Sequence, residues 1–415
     1  MDYRSDMLDR LERRREGFSL EQPFYTDPGY FQLDMEMIWY REWLFAGHDC
    51  ELPKPGSYFT LQIGAYPVVV VRDREGTSRA DQKSCRQRGS RGWSAAKGVA
   101  ARLVCPYHQW TYDLDGSLVF ARHMGEDFDK SEYGLRPVAC ESVAGYIFIC
   151  LADEPADFAP FRAAMEPYLL PHNLADSKVA HETTIVEKGN WKLVWENNRE
   201  CYHCAGSHPE LCVTYPEAPS VTGVQGAAAD PVVTAHSEKC EAAGLPSRFL
   251  IDDDGQFRAA RTPLVGAAES YTMSGKRAVR RKLSNAIAGD QIGALLLFHY
   301  PTTWNHVLND HAITFRVTPL SATETAVTTK WLVHKDAVEG VDYKLDELIH
   351  VWTRTNDQDR RIVEENALGI ASPAYRPGPY SAEDESGVMQ FVDWYARSIT
   401  PRLRGVRPAP ALHVA

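Results

Sequence analysis

Two cysteine-containing segments carry residues that can bind an iron–sulfur cluster. "SCRQRGSRGW" (84–93) contains Cys85, and "CPYHQW" (105–110) contains Cys105 and His108. A two-iron cluster held by two cysteines and two histidines needs the pattern Cys-x-His, an interval, and Cys-x-x-His. Seventeen residues separate Gln87 from Cys105, and three of the four ligand positions match. This first constellation predicts a domain built around such a cluster.

Gln87 stands where the second histidine is expected. A neutral imidazole is a good nitrogen donor to iron, whereas an amide offers a weak carbonyl oxygen and an NH2 group that hardly coordinates. The charged Asp81 and Lys83 are also unusual beside a cluster, but Trp110 and Tyr112 in "CPYHQWTYDLDGSL" could cover it. The segment therefore supports the domain type more firmly than a working cluster.

A second constellation lies in "ECYHCAGSH" (200–208), which contains Glu200, His203 and His208. Two histidines five residues apart can reach one metal if a helix unwinds between them, and Gly206 would permit this. Two histidines and one carboxylate on one face of iron(II) leave positions for O2 and solvent. The pair therefore predicts a mononuclear iron site, once a carboxylate is found.

The carboxylate candidates lie in "TNDQDRRIVEEN" (355–366), and they are Asp357, Asp359, Glu364 and Glu365. On a helix, Asp357 and Asp359 point about 200° apart, so at most one of these two faces the pocket.

Nine cysteines at irregular spacing argue against a disulfide framework and favour reduced thiols, some of them metal ligands. Cys201 and Cys204 form a C-x-x-C that could indicate a redox or zinc site. Because no second C-x-x-C accompanies it, we predict two buried apolar thiols.

The formal charge of −11 argues against nucleic acid or an anionic membrane as the main partner, because both favour basic surfaces. The first twenty residues are highly charged and no run of eighteen apolar residues occurs, so we expect a soluble cytoplasmic protein. No G-x-G-x-x-G or P-loop is present, so nucleotide-dependent reducing power would come from another chain.

The hydrophobic pattern predicts three regions. Residues 1–44 are helical, 45–155 consist of short β-like runs broken by turn residues, and 156–415 combine helices with strands. In the third region, 345–370 predicts a long helix that ends near Gly369. Residues 215–290 have few periodic signals and predict a mobile excursion near an entrance.

The two constellations, in this order, resemble the catalytic (alpha) subunits of Rieske non-heme iron oxygenases over nearly the whole chain. Five segments look most like the branch that acts on betaines and other quaternary ammonium compounds, such as glycine betaine, carnitine and stachydrine demethylases: "ENNRECYHCAGSHPEL", "TWNHVLNDHAITFRVTPL", "TNDQDRRIVEENALGI", "SPAYRPGPYS" and "ESGVMQFVDWY". The resemblance implies an α+β fold. Its parts are a segment 1–44 packing on the catalytic domain, an all-β Rieske domain at 45–155, and a helix-grip-like catalytic domain at 156–415 with an antiparallel sheet covered by helices.

The resemblance also implies site residues. By position, Cys85, Cys105 and His108 match ligands of the [2Fe–2S] cluster, and Gln87 departs from the family at the fourth place. The ligands of the mononuclear Fe(II) match His203, His208 and Asp359. The carboxylate that bridges the two sites matches Glu200.

The family further implies a head-to-tail homotrimer, in which the cluster of one subunit lies close to the iron of the next. Electrons would come from NAD(P)H through a separate flavin and iron–sulfur reductase. The implied reaction uses O2 to hydroxylate or N-demethylate a betaine-like substrate. Because a permanent cation cannot lose its charge, its pocket should present aromatic faces. Phe298, Tyr300 and Trp304 are candidates, alternating on one strand-like run.

Three alternatives remain at this point. The chain could be an oxygenase scaffold whose cluster is impaired by Gln87, acting weakly or only as a ligand-binding protein. It could be a non-catalytic binding protein for a betaine-like solute, although binding alone needs no open-sided iron site. It could also be an aromatic-ring hydroxylating dioxygenase.

Overall fold

The computed structural model describes residues 2–92, 95–216, 231–287 and 289–405. It divides into a small unit, Tyr40–Arg162 with Leu174–Asp176, and a large unit, Met1–Trp39 with Ala163–Asn173 and Ser177–Ala415. The predicted domain limits after residues 44 and 155 stay predictions. None of the helices formed by the described residues is both long enough and apolar enough to cross a membrane.

The small unit is formed mainly by antiparallel strands. Seven strands make one sheet in the order β1-β10-β9-β4-β3-β2-β5, and three make a second in the order β6-β7-β8. Their bounds are β1 Leu44–His48, β2 Ser57–Ile63, β3 Tyr66–Arg72, β4 Ser78–Gln82, β5 Lys97–Val99, β6 Leu103–Val104, β7 Thr111–Tyr112, β8 Leu118–Phe120, β9 Pro137–Val143 and β10 Tyr146–Cys150.

A run of four valines explains the centre of the larger sheet of this unit. Residues 68–71 are all valine and fully buried on strand β3. β-branched side chains pack well on a pleated surface, and a continuous apolar run is typical of a strand covered on both faces. The sequence pattern therefore predicted this strand correctly.

The large unit contains a seven-stranded antiparallel sheet in the order β11-β17-β16-β15-β14-β13-β12. The strands are β11 Ser177–Glu187, β12 Leu250–Ile251, β13 Phe257–Thr262, β14 Ala294–His299, β15 Thr303–Val307, β16 His311–Ser321 and β17 Glu324–His334. The α-helices formed by the described residues are α1 Tyr3–Glu12, α2 Pro23–Thr26, α3 Pro28–Asp34, α4 Ala159–Leu169, α5 Trp191–Asn198, α6 Cys204–Ser207, α7 Pro231–Ala242, α8 Leu345–Ile370 and α9 Ser386–Leu403. A π-helix, Met35–Trp39, follows α3.

Helices α5 and α8 pack on this sheet and on each other. Helix α8 has buried side chains at Leu348, Val351, Trp352 and Thr355, the spacing of one helical face. Acidic residues in its first turn suit the positive end of the helix dipole. The predicted long helix ending near Gly369 is confirmed.

Two predictions about this unit are wrong. The segment 215–290 is not an excursion throughout, because its described part contains α7, β12 and β13, and β13 is paired in the sheet; residues 217–230 lie outside the described residues. Phe298, Tyr300 and Trp304 do not share one strand either. Strand β14 ends at His299, and Trp304 lies on β15, directly opposite Phe298.

Candidate functional site

Helix α5 and the turn after it position the two histidines. The Asn190 side chain caps the helix by accepting the Lys192 N–H, and the helix ends at Asn198. His203 and His208 then flank α6, a single helical turn. The chain was expected to unwind between them at Gly206, but Gly206 lies within this turn and has open space where a Cβ would stand. The bend occurs instead at His208, whose backbone leaves the helix with φ −123°.

The two imidazoles meet the carboxylate of Asp359 from α8. The Nε2 atoms of His203 and His208 are 3.0 Å apart, and they lie 3.5 and 3.0 Å from Asp359 Oδ1. Ligands about 2.1 Å from a metal and at right angles to each other are about 3.0 Å apart. The three donors therefore fit one face of an octahedral iron(II) ion and leave the other face open.

Protein partners hold both imidazoles in the orientation that metal binding needs. His203 Nδ1 donates to Glu200 Oε1 at 2.5 Å, and His208 Nδ1 donates to Gln358 Oε1 at 2.9 Å. The Gln358 amide in turn donates to Glu210 Oε2 at 2.8 Å. Because each Nδ1 is occupied by an acceptor, each Nε2 is left for a metal.

The charges at this site also favour a divalent cation. Burial would raise the pKa of Asp359, but the two imidazoles outweigh burial and lower it to about 2. Burial would lower the pKa of His203, but Asp359 and Glu200 raise it to about 9. Asp359 and Glu200 thus favour the protonated form of His203 in the metal-free chain, and a divalent cation can replace that proton.

The other carboxylate candidates have different partners. Asp357 pairs with Arg360 at 3.1 Å, and Glu364 accepts the Lys188 N–H at 3.2 Å. Glu365 is exposed. Asp359 also accepts from Asn197 Nδ2 at 2.8 Å, which fixes the carboxylate toward the histidines.

Cys201 and Cys204 form a disulfide, which corrects the prediction of two buried thiols. The Cys204 sulfur and the ligand nitrogens of His203 and His208 all lie within 4.8 Å of one another. A disulfide sulfur offers no thiolate to a metal. The third donor beside His203 and His208 is therefore Asp359 and not Cys204.

In the small unit, two loops of matching backbone structure carry the predicted cluster residues. The Cys85 N–H donates to Ser90 O at 2.8 Å, and the Cys105 N–H donates to Trp110 O at 2.8 Å. The amides four residues after each cysteine, at Gly89 and Gln109, donate back to the cysteine carbonyls. Both cysteines thus begin a turn of the same kind.

Both thiols are buried in one cluster of apolar side chains that also contains Trp110 and Tyr112. Burial is the main cause that raises the pKa of Cys85, and the neighbouring Cys105 adds to it. His108 Nδ1 is buried and has no hydrogen-bond partner among the described residues. Buried thiols with an unpartnered imidazole nitrogen fit the cysteine and histidine ligands of a two-iron cluster.

Gln87 does not fit the fourth ligand position. It carries an exposed amide, whose carbonyl oxygen is a weaker donor to iron than an imidazole nitrogen. The three remaining donors match the chemistry of a Rieske cluster, and the second imidazole is not supplied at this position.

A cavity of about 80 Å³ adjoins the His203–His208–Asp359 group. Phe298 and Trp304 line it, and so does Trp352 of α8. Tyr300 does not line it, because its hydroxyl lies between Arg199 and Gln390, at 2.7 and 2.9 Å. The structure therefore brings two of the three predicted aromatic residues to the candidate site.

Comparison with known protein families shows the family to which this chain belongs. The model described as ring hydroxylating alpha subunit (catalytic domain) matches residues 174–400, more than half of the chain. The model described as Rieske [2Fe-2S] domain matches residues 42–137. The chain belongs to the Rieske oxygenase alpha subunits. The predicted family and α+β fold are confirmed, and the two domains imply a Rieske cluster and a mononuclear iron.

Two relatives of this Rieske oxygenase match along almost their whole length. The glycine betaine monooxygenase oxygenase subunit of Pseudomonas aeruginosa is 49% identical over 405 residues, 96% of this chain and 93% of that protein. The glycine betaine monooxygenase oxygenase subunit of Chromohalobacter salexigens is 47% identical over 416 residues, 99% of this chain and 92% of that protein. Both are named as oxygenase subunits of monooxygenases, and this chain is an enzyme of the same family.

A solved quaternary ammonium Rieske monooxygenase shares the fold. It aligns with a TM-score of 0.73 at 20% identity, covering 94% of this chain and 98% of that one. The arrangement of the Rieske oxygenase fold is therefore retained at low sequence identity.

Sequence reasoning missed several residues of the site. Gln358 orients His208, Asn197 holds Asp359, and Arg199 and Arg258 line the cavity. Asn197 and Arg199 lie within "ENNRE", whose polar residues were visible beside the first histidine. Arg258 had no such signal, because its strand lies in the segment predicted to be an excursion.

Proposed function

We propose that this chain is the oxygenase subunit of a Rieske-type monooxygenase that N-demethylates a betaine-like quaternary ammonium compound. The observation that carries the proposal is that one cavity is lined both by His203, His208 and Asp359 and by the aromatic rings of Phe298, Trp304 and Trp352. Aromatic faces attract a cation that cannot be neutralised by proton loss. The two relatives that match this chain end to end are named for glycine betaine.

In this proposal, His203, His208 and Asp359 hold the mononuclear iron, which supplies the activation of O2 when bound. Glu200 and Gln358 keep the two imidazoles in place, and Asn197 does the same for the carboxylate. The buried rings of Trp304 and Trp352 exclude water and present faces to the ammonium group. An N-methyl group held there would be hydroxylated, and the product would lose formaldehyde.

The aromatic-ring alternative is less favoured than this substrate class, because the two relatives matched along almost their whole length are named for glycine betaine.

The remaining residue roles are part of the same proposal. Cys85, Cys105 and His108 would be ligands of the [2Fe–2S] cluster, and Glu200 would be the carboxylate between that cluster in one subunit and the iron of the next. The contact that supports this role for Glu200 is the hydrogen bond that its Oε1 accepts from His203 Nδ1. Its Oε2 accepts from the backbone N–H groups of Tyr202 and His203. The proposal includes a homotrimer in the cytoplasm, reduced by a flavin and iron–sulfur reductase.

A second candidate function rests on Gln87. If the missing imidazole prevents cluster assembly, the chain is an oxygenase scaffold that binds iron and ligand but receives few electrons. The exposed amide at this position is the observation that favours it.

Formaldehyde release tests the proposed reaction. The purified chain is supplied with a reductase of this enzyme class, NADH, O2 and glycine betaine, and formaldehyde and NADH are measured together. We expect one formaldehyde for each NADH oxidised, and none from the variant His203→Ala. NADH oxidation without formaldehyde, for every betaine offered, would exclude N-demethylation.

A further inference from the structure

Two arginine side chains are buried in the wall of the candidate cavity. Arg199 and Arg258 are both 5% exposed, and both line the cavity next to the iron-binding residues. Their guanidinium carbons lie 4.2 and 5.1 Å from the centroid of the Phe298 ring. If the aromatic wall bound only a cationic ligand, two arginine cations would not be expected within it.

Strand register explains why Arg258 faces this cavity. Arg258 on β13 lies opposite Phe298 on β14, which lies opposite Trp304 on β15. Directly opposite residues on neighbouring strands project from the same face of a sheet. Arg261, three residues later on β13, projects from the other face, where it contacts His172 at 3.0 Å.

The electrostatic surroundings of the pair favour an anion. Burial, together with the positive charge of Arg199, lowers the pKa of Arg258 to about 9. Arg258 therefore still carries its charge at neutral pH, and it repels Arg199. A carboxylate placed between two guanidinium groups would accept hydrogen bonds from both and relieve this repulsion.

Two further donors in the same cavity point to an acceptor. The indole nitrogens of Trp304 and Trp352 are buried and have no hydrogen-bond partner among the described residues. The two side chains are 9% and 6% exposed, and both line the cavity. Buried donors normally have an acceptor, so a ligand that brings acceptor oxygens suits this wall.

We propose that Arg199 and Arg258 bind the carboxylate of the substrate, so that the site selects quaternary ammonium compounds that carry a carboxylate. This inference rests on the proposed function and adds the group by which the substrate is recognised at its other end. A trimethylammonium compound without a carboxylate would bind the aromatic wall alone and would bring a third positive charge to the two buried guanidinium groups.

Four ligands of similar size separate the two charges. Glycine betaine carries the ammonium and the carboxylate, choline only the ammonium, 3,3-dimethylbutanoate only the carboxylate, and 3,3-dimethylbutanol neither. Calorimetry on the iron-loaded full chain gives the Kd of each. We expect the Kd of choline to exceed that of glycine betaine by at least about tenfold, since a hydrogen-bonded charge is lost.

Variants identify the residue responsible. Arg258→Gln should weaken glycine betaine binding by at least about tenfold and leave choline binding unchanged or stronger. Arg261→Gln is the matched control, because it removes a buried arginine from the same strand but from the opposite face, and it should keep the preference. Arg258→Lys keeps the charge and should retain part of the preference. Arg258→Lys also tests the role of Arg258 if Arg258→Gln does not fold.

The outcomes separate this inference from the proposed function. The arginine pair does not bind the carboxylate if the wild-type chain binds glycine betaine and choline equally. The same follows if Arg258→Gln and Arg258→Lys both keep the full preference for glycine betaine over choline. In either case the proposed N-demethylation of an ammonium compound still stands. If 3,3-dimethylbutanoate binds as well as glycine betaine, the arginine pair is supported and the ammonium function fails. If none of the four ligands binds, both are overturned.

Discussion

His203 and His208 each use one ring nitrogen for a protein acceptor and leave the other for the metal. Glu200 occupies Nδ1 of His203, and Gln358 occupies Nδ1 of His208. The partner of a ligand histidine fixes which nitrogen carries the proton and raises the basicity of the nitrogen that binds. The site is therefore defined by these contacts as well as by its three donors.

Asp359 should be the carboxylate that retains the mononuclear iron. Asp359→Ala leaves two nitrogen donors, so the iron in excess of acid-labile sulfide should fall from about one per chain to nearly none. Counting iron minus sulfide removes the cluster from the measurement, because a two-iron cluster contains equal numbers of both. Asp357→Asn is the control, since Asp357 pairs with Arg360 and should leave the iron content unchanged. Loss of iron from Asp357→Asn with retention in Asp359→Ala would reverse the assignment.

Helical spacing in the sequence was sufficient to choose Asp359 over Asp357 as the carboxylate that faces the site. Trp352 and Asp359 are seven residues apart, two helical turns, so they lie within about 20° of each other. Trp352 and Thr355 belong to the buried stripe, and Asp357 does not share this spacing. Arg258 could not have been selected in this way. Its strand is buried along its whole length, so neither polar alternation nor helical spacing marks it.

At the scale of single elements, helix α5 is unusual because it carries buried charges. Lys192 is fully buried and pairs with Asp34, which is also fully buried. Glu196, one turn later, accepts from the hydroxyls of Tyr25 and Tyr380 at 2.8 and 3.0 Å. Burial raises the pKa of Glu196 to about 7.

Glu196 should make the large unit less stable as the pH rises. The folded chain keeps the proton of Glu196 up to about pH 7, whereas the unfolded chain loses it near pH 4.5. Stability is therefore full below pH 4.5 and falls as the pH rises to about 7, by about 3 kcal/mol in total. Glu196→Gln should remove most of this dependence in urea unfolding between pH 5 and 8. The exposed Glu365→Gln should leave the dependence as it is, and an unchanged slope in Glu196→Gln would contradict the raised pKa.

The loop that begins at Cys85 has the same backbone hydrogen bonds as the loop that begins at Cys105, but only the second presents a histidine. Because the backbone is already in place, Gln87→His should raise acid-labile sulfide toward two per chain and increase visible absorption. The measurement compares anaerobically purified wild type with the variant. Glu75→His in the same unit is the control, since it adds an exposed imidazole in the turn between strands β3 and β4, outside both cysteine loops. Equal sulfide in wild type and Gln87→His would show that Gln87 does not limit the cluster.

At the scale of the whole molecule, the sequence predicted the fold from its strongest patterns. The valine run of β3, the amphipathic α8 and the order of the two metal-binding motifs were sufficient for the family and the α+β class. The parts that were missed depend on long-range pairing. Register across β13, β14 and β15 places Arg258, Phe298 and Trp304 side by side, and no local pattern encodes that register.

Two oxidants should distinguish a defect in electron supply from a defect in the oxygen chemistry of the whole enzyme. Hydrogen peroxide already contains both oxygen atoms and the two electrons that NADH would otherwise provide, so it does not require the cluster. With peroxide and glycine betaine, wild type and Gln87→His should release the same formaldehyde in one turnover. With NADH, O2 and a reductase, Gln87→His should exceed wild type several-fold, because only this route passes through the small unit. Asp359→Ala should be inactive by both routes, which shows that the product comes from the mononuclear site. Equal activity with NADH would mean that electrons enter despite Gln87, and a difference with peroxide would mean that Gln87 also affects the catalytic unit.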